Sequence, residues 1–260
     1  MRELTRQRPD LHGIPRSRWR LTDLREVLPW LRSYSLPGVC KALQRLKLTR
    51  KRGRLCVHSP DPQYTIKMRW IQQAQQQARC EPDRVVVLYA DELSFYRRPE
   101  LAGGGVYHPE GEEPAFLVAP GYNTRHRLGG AMDMLSGRVV WVEGKVVGKD
   151  ALCLLLTKVR ASYGADRQLF VIWDNWPVHW QADVLTKAWE LNIHLLWLPT
   201  YAPWTNPIEK LWRWLKQEVL HNHQLAEHFD MLKEQARTFL NCFTHGSTQL
   251  LRYVGLLPLP

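Results

Sequence analysis

The stretch that decides the fold is residues 198–216, LPTYAPWTNPIEKLWRWLK. It follows an apolar run, His194–Leu198, that has the composition of a buried strand. After a loop with two prolines, apolar residues recur at helical spacing. Asn206 is predicted as the N-cap of this helix, Pro207 as its first residue and Glu209 as its third. The pattern therefore predicts a strand, a loop and a helix with a carboxylate in its first turn.

Two earlier apolar runs also lead into acidic residues. Arg84–Ala90 ends at Asp91, and Leu169–Trp173 ends at Asp174. Because the carboxyl ends of parallel strands face the same crevice, we expect these two residues and Glu209 to converge. Each also has a simpler interpretation: a strand end, a turn residue that bonds its own backbone, or a helix-capping box. Their shared setting favours a site, since acids held close together need a cation, and oxygen-only ligands suit Mg²⁺ or Mn²⁺.

The remaining patterns predict the fold class. Strands come early in this region, and helices then alternate with strands, which favours an α/β domain with a mixed sheet and helices on both faces. The further predicted elements are a hairpin of Arg127–Met134 with Arg138–Glu143, and helices over Tyr64–Cys80, Asp150–Tyr163 and Gln181–Leu191.

The net charge is concentrated near the N-terminus. Residues 1–60 hold 15 of the 36 Lys and Arg and only 4 of the 25 Asp and Glu, so they carry the whole net charge of +11. Within them, Thr22 is predicted to cap one helix and Ser35 to cap a second, a helix-turn-helix pattern. A basic segment of this kind is typical of DNA binding, although a solvated arm and a helical hairpin without DNA are the alternatives.

The candidate DNA contacts are the basic residues on and around these two helices. They are Arg16, Arg18, Arg20, Lys41, Arg45, Lys47, Arg50, Lys51, Arg52 and Arg54.

Composition excludes several classes of protein. The 260 residues are 45% hydrophobic and 23% charged, as in a globular protein, and no apolar run approaches the roughly 18 residues of a membrane span. The five cysteines form no C-x-x-C pair, so neither a zinc site nor a disulfide framework is indicated. We therefore expect a soluble chain in a reducing compartment, with no membrane partner.

Three segments carry a resemblance to a known family. VVVLYADELSF (85–95), FVIWDNWPVHW (170–180) and LPTYAPWTNPIEKLWRWLK resemble the catalytic segments of the IS630 branch of the IS630/Tc1/mariner transposases. Asp174 and Glu209 are separated by 34 residues, which is similar to the DD34E arrangement of that branch. The likeness runs from about residue 20 to about residue 222 and includes the basic N-terminal segment.

The resemblance implies a ribonuclease-H-like fold and a DDE active site. Asp91, Asp174 and Glu209 fall on its catalytic, metal-binding triad, which holds two Mg²⁺ or Mn²⁺ ions. Glu92, Asn175 and His179 match neighbouring family positions as possible site support, and Asn206 is a further candidate because it precedes the helix. Glu92 is expected to point to the opposite face of its strand from Asp91. The implied reactions are cleavage at the ends of a mobile element and strand transfer into a TA-containing target.

The predicted organisation has four parts. They are a DNA-binding helix-turn-helix module (1–60), a helical connector (61–82), the ribonuclease-H-like catalytic domain (83–222) and a helical extension (223–260).

The predicted partner is double-stranded DNA, as transposon ends and target, bound by a homodimer or larger synaptic oligomer in the nucleoid of a prokaryotic cytoplasm. Family members commonly carry a further N-terminal subdomain ahead of the helix-turn-helix. The chain is therefore expected to be one frame of a split transposase, a truncated copy or a repurposed nuclease. Two alternatives stay open at this point. One is a catalytically idle, host-adopted DNA-binding protein, and the other is a different ribonuclease-H-like nuclease.

Overall fold

The structure is a computed structural model that describes residues 1–16, 18–48, 58–101, 115, 116, 118 and 120–258. The chain divides into two compact units, residues 1–56 and 57–260. The α-helices of the described residues are α1 (Arg2–Arg6), α2 (Leu21–Val27), α3 (Leu36–Arg45), α4 (Tyr64–Cys80), α5 (Lys149–Ala161), α6 (Ala182–Glu190), α7 (Ile208–Leu215), α8 (Phe229–Asn241) and α9 (Thr248–Val254). The strands are β1 (Val85–Tyr96), β2 (Arg125–Asp133), β3 (Val139–Gly144), β4 (Gln168–Trp173) and β5 (Ile193–Trp197).

The first unit contains the two helices predicted near the N-terminus. Ser35 caps α3 as predicted, since its hydroxyl accepts a hydrogen bond from the Gly38 amide at 3.3 Å. The prediction that Thr22 caps α2 was wrong. The helix begins at Leu21, and the Asp23 carboxylate accepts a hydrogen bond from the Arg20 amide at 2.9 Å. Leu24, Leu31 and Val39 form the small core between these helices.

The second unit is built on a sheet that the described residues form with five strands in the order β3-β2-β1-β4-β5. β1, β4 and β5 run parallel, whereas β2 and β3 are antiparallel to their neighbours. Residues 85, 87 and 89 of β1 pack on one face with α4, α7, α8 and α9. Residues 86 and 88 pack on the other face with α5 and α6. The predicted α/β class, a mixed sheet covered by helices on both faces, is confirmed.

The first strand is longer than its sequence pattern predicts. We expected it to end at Ala90, but β1 continues to Tyr96 because β2 pairs with it along that whole length, with Asp91 opposite Gly130. The parallel pairing with β4 stops earlier, at Tyr89 opposite Ile172. Asp91 therefore lies inside a strand, at the level where the neighbouring strand ends.

The segments on either side of the predicted catalytic domain pack into its core. Ile71 and Ala78 of α4, Leu232 of α8 and Leu250 of α9 are buried in the cluster that covers one face of the sheet. The predicted boundaries at residues 60, 82 and 222 stay predictions. In the part of the chain that the structure describes, no helix combines the length and apolar character needed to cross a membrane.

Candidate active site

Asp91 lies on the face of β1 that also carries Tyr89 and Leu93, opposite to Glu92 as predicted. If the register between β1 and β4 is continued by two residues, Asp91 is level with Asp174. Burial, together with the negative charges of Glu209 and Glu92, raises the pKa of Asp91 well above its ordinary value. This carboxylate is therefore in a place where added positive charge would be strongly stabilising.

Asp174 follows β4 directly and is held by its own turn. One carboxylate oxygen, Oδ1, accepts hydrogen bonds from the Trp176 amide at 3.0 Å and from Nδ1 of His179 at 2.9 Å. Partial burial alone would raise the pKa of Asp174, but these two donors lower it below its ordinary value. The turn bond that offered a simpler interpretation is thus present, and it orients the carboxylate without using Oδ2.

Glu209 lies in the first turn of α7 and is exposed. The protein around its carboxyl group and the negative charge of Asp174 raise the pKa of Glu209. The prediction of Asn206 as N-cap and Pro207 as first residue was wrong, because Pro207 is the N-cap, Glu209 is the second residue of α7, and no side-chain cap closes the helix. Asn206 instead donates from Nδ2 to the carbonyl of Ala90 at 3.1 Å. The start of α7 is therefore attached to the residue that precedes Asp91, and the Glu209 carboxylate is not used as a cap.

Glu92 and His179 form a buried connection to Asp174 from the opposite face of the sheet. His179 is 0% exposed, and its Nε2 lies 3.1 Å from Oε1 of Glu92, which also accepts a hydrogen bond from Trp173 Nε1 at 3.2 Å. The imidazole stacks on Trp173 with ring centroids 4.2 Å apart. Burial alone would lower the pKa of His179, but its hydrogen bonds to Asp174 and Glu92 raise it to about 9. A cationic His179 can donate to both carboxylates.

Asn175 supports the site through the backbone. Its Nδ2 donates to the carbonyl of Leu198 at 2.6 Å, which connects the loop after β4 to the end of β5. The predicted support residues Glu92, His179 and Asn206 likewise make identified bonds around the triad. Whether any of these residues contributes to a reaction stays a prediction.

The three acids line one cleft of about 510 Å³ at the carboxyl end of β4 and β5. The residues around it are Asp91, Asp174, Asn175, Trp176, Pro177, Leu198, Pro199, Thr200, Tyr201, Ala202, Pro203, Asn206 and Glu209. The structure therefore places the three carboxylates around one cleft, as expected.

The loop between β5 and α7 is fixed by residues that no sequence pattern predicts. The Asp61 carboxylate accepts hydrogen bonds from the Thr200 amide at 2.9 Å and from Lys67 Nζ at 2.8 Å. Ser59 donates to the Thr200 carbonyl at 2.5 Å. The hydrogen bond from Lys67, followed by the one from Thr200, lowers the pKa of Asp61 far below its ordinary value. No local signal indicates a contact between residues separated by 139 positions.

Close packing sets the position of the helix that carries Glu209. A Cβ atom on Gly130 would lie 2.7 Å from Cη2 of Trp212, so the indole ring of α7 rests directly on the backbone of β2. Gly130 is also the register partner of Asp91. The absence of a side chain at residue 130 therefore allows α7 to lie close to the strand that neighbours Asp91.

The donor atoms of the cleft fit a hard divalent cation. They are carboxylate oxygens whose mutual repulsion a cation would relieve, together with Oδ1 of Asn206, which is buried and has no hydrogen-bond partner among the described residues. Within the same residues, no three His, Cys, Asp or Glu side chains are grouped closely enough to hold one ion as they stand. The chemistry of the site thus suits Mg²⁺ or Mn²⁺, and the acids would have to draw closer to share it.

The predicted DNA-contacting residues lie in the first unit. Arg18, Arg20, Lys41, Arg45 and Lys47 are exposed. Arg16 is also exposed, but its guanidinium pairs with the buried Asp23 carboxylate at 2.9 Å. Arg50, Lys51, Arg52 and Arg54 lie outside the described residues, and DNA contact by any of the ten stays a prediction.

Comparison with protein families identifies the fold and the enzyme class. Residues 86–233 match the family model described as DDE superfamily endonuclease. This segment is more than half of the 260 residues and includes Asp91, Asp174 and Glu209. The chain therefore belongs to the DDE superfamily of endonucleases.

Individual relatives agree with this assignment. The chain is 26% identical over 239 residues to the insertion element IS630 uncharacterized 39 kDa protein of Shigella sonnei, covering 90% of this chain and 67% of that protein. It is similar in structure to the Mos1 transposase paired-end complex with left transposon end, at 16% identity and a TM-score of 0.61, covering 95% of this chain and 78% of that one.

The chain is also similar in structure to the Mos1 mariner paired end complex with Mn, at 17% identity and a TM-score of 0.61. That match covers 95% of this chain and 78% of the Mos1 chain. These two structures show the ribonuclease-H-like fold. The family match and the IS630 relative confirm the resemblance to the IS630/Tc1/mariner superfamily and the prediction of a DDE endonuclease, and the two solved structures confirm the fold alone.

Proposed function

We propose that this chain cleaves the ends of a mobile DNA element and transfers them into target DNA, using Asp91, Asp174 and Glu209 with Mg²⁺ or Mn²⁺. The observation that carries the proposal is the placement of these three carboxylates around one cleft. They come from a strand, a strand end and the first turn of a helix, so rigid elements present each of them. Sites of this precision are typical of phosphoryl transfer, which depends on positioning and charge.

Each acid has a distinct part in the proposed reaction. Asp91, with a raised pKa and three like-charged neighbours, is the group whose ionised form most needs a cation. Asp174 presents the oxygen that His179 and Trp176 do not use. Glu209 completes the set from an exposed position at the edge of the cleft, where a DNA backbone can approach. When bound, Mg²⁺ or Mn²⁺ would lower the pKa of an attacking water or hydroxyl and neutralise charge on the phosphodiester oxygens.

The finer details of the proposal follow from the family. We propose two ions per site, a TA-containing target, and a homodimer or larger synaptic oligomer that holds two element ends. Solved relatives are described as paired-end complexes with a transposon end, and one is described with Mn. The basic first unit would bind the phosphates of the same DNA, which we expect to be nucleoid DNA in a prokaryotic cytoplasm.

A DNA-cleavage assay tests this function. The substrate is a duplex carrying the inverted repeats that flank the coding sequence, incubated with the full chain and Mg²⁺ or Mn²⁺. We expect strand cleavage at the repeat ends with either metal and none in the presence of EDTA. Asp174→Asn should abolish cleavage and preserve binding of the duplex, because it removes one charge and leaves the fold intact.

The matched control is Asp83→Asn, the same chemical change at a fully exposed carboxylate that precedes β1. This control should cleave as the natural chain does. Cleavage by Asp174→Asn at the natural rate would overturn the proposal. Preferential cleavage of an RNA·DNA hybrid would favour a different ribonuclease-H-like nuclease.

A further inference from the structure

An aromatic side chain lies at the mouth of the catalytic cleft without a protein partner. Tyr201 is 74% exposed and lines the same cleft as Asp91, Asp174 and Glu209. Among the described residues, no hydrogen bond or ring contact involves its side chain. Its ring therefore presents an apolar face to solvent beside the site of the proposed chemistry.

The backbone of Tyr201 is held in an unfavourable conformation. Its φ is +53°, in the left-handed region that a bulky side chain rarely adopts. The preceding residue, Thr200, is fixed at both of its backbone polar groups: its amide donates to the Asp61 carboxylate and its carbonyl accepts from the Ser59 hydroxyl. The surrounding structure thus imposes this conformation. Strain of this kind is concentrated at sites where a side chain must be presented in one direction.

The other aromatic residue that lines the cleft is already engaged. The Trp176 and His179 rings are perpendicular with centroids 5.5 Å apart, and the Arg127 guanidinium lies 5.7 Å from the centroid of the Trp176 ring. Trp204 belongs to the same loop as Tyr201 and is 52% exposed, but it does not line the cleft. Among the described residues that line the cleft, Tyr201 is therefore the aromatic group that is free to accept a flat ligand.

We infer that Tyr201 stacks on an unpaired nucleobase of the DNA end, next to the phosphodiester that is cleaved beside the three carboxylates. The inference rests on the proposed function, and it adds a base-binding subsite to the phosphate site. A base whose partner strand has been displaced exposes a flat aromatic face, and any of the four bases can stack on a tyrosine ring. Such stacking is worth about 5- to 150-fold in affinity per base.

The experiment measures binding of duplex element ends in which one base at a time, near the cleaved phosphate, is replaced by an abasic site. The natural chain should lose about 5- to 150-fold in affinity at one position. Tyr201→Ala should bind the intact end that much more weakly and show no further loss at that position. Tyr201→Phe keeps the ring and should behave as the natural chain does.

Two further results separate the possible failures. Trp204→Ala removes another exposed aromatic group of the same loop, one that does not line the cleft, and should keep the natural abasic profile. The inference is overturned if Tyr201→Ala, in a chain that still binds and cleaves the ends, shows the natural profile. If the natural chain neither binds nor cleaves the ends, the proposed function fails and the subsite fails with it.

Discussion

His179 gives the sharpest test of how the site is held. Replacing it by Ala removes a fully buried ring that contacts both Glu92 and Asp174 and stacks on Trp173. The Glu92 side chain, which is 12% exposed, would then lose the imidazole with which it pairs. Removing one member of a buried ion pair costs about 3–5 kcal/mol. We therefore expect His179→Ala to lower the free energy of unfolding by about that amount at pH 7.

Urea denaturation followed by tryptophan fluorescence measures this change. Ten of the 12 tryptophans lie beyond residue 57, so the signal reports mainly the second unit. The informative comparison is between His179→Ala and the double variant that also carries Glu92→Gln. Because glutamine leaves no buried charge, the double variant should be more stable than His179→Ala alone by about 1 kcal/mol or more. A loss below about 1 kcal/mol in His179→Ala, or a double variant less stable than the single, would refute the reasoning.

The difference in unfolding free energy between the natural chain and His179→Ala should change with pH in a definite direction. The pKa of His179 is raised to about 9, above an unfolded value of about 6.5. Its contribution to stability is therefore complete below about pH 6.5 and is lost as the pH rises through about 9. The gap between the natural chain and His179→Ala should narrow over that interval in metal-free buffer. A gap that widens toward alkaline pH would contradict the assignment of a cationic His179.

Three other perturbations test the surroundings of the site. Gly130→Ala places a Cβ 2.7 Å from Trp212 and should lower the free energy of unfolding by about 1–3 kcal/mol. DNA cleavage should also be slower, because α7 must move. Unchanged stability would be evidence against that packing. Asp61→Asn should cost about 1–3 kcal/mol at pH 7, through the loss of charged hydrogen bonds including that from Thr200. Because the pKa of Asp61 is lowered, this difference should shrink as the pH falls below about 4, and a difference that grows in acid would contradict it. Lys41→Ala should reduce the slope of log affinity for DNA against log salt concentration by about 0.9, and an unchanged slope would remove Lys41 from the DNA contacts.

The sequence predicts the triad because each acid follows a strongly apolar run. Parallel strands bring their carboxyl ends together, so the convergence of Asp91, Asp174 and Glu209 follows from local pattern and general topology. The family segments around these residues give the same positions independently.

What the sequence could not predict depends on long-range contacts. The extension of β1 to Tyr96 is set by its pairing with β2. Asn206 has the sequence of a helix cap, but a bond to Ala90, 116 residues away, takes its side chain. The bond between His179 and Glu92 joins residues that are 87 positions apart in the sequence. None of these contacts leaves a periodic or compositional signal in the chain.

The central claim is that Asp91, Asp174 and Glu209 together hold the metal that cleaves DNA. The most direct measurement is anomalous diffraction from crystals of the full chain grown with a duplex element end and Mn²⁺. We predict manganese peaks within ligand distance of the carboxylate oxygens of all three residues, with the DNA backbone entering the cleft beside them. DNA bound in the cleft with manganese absent, or with manganese held by other residues, would contradict the account.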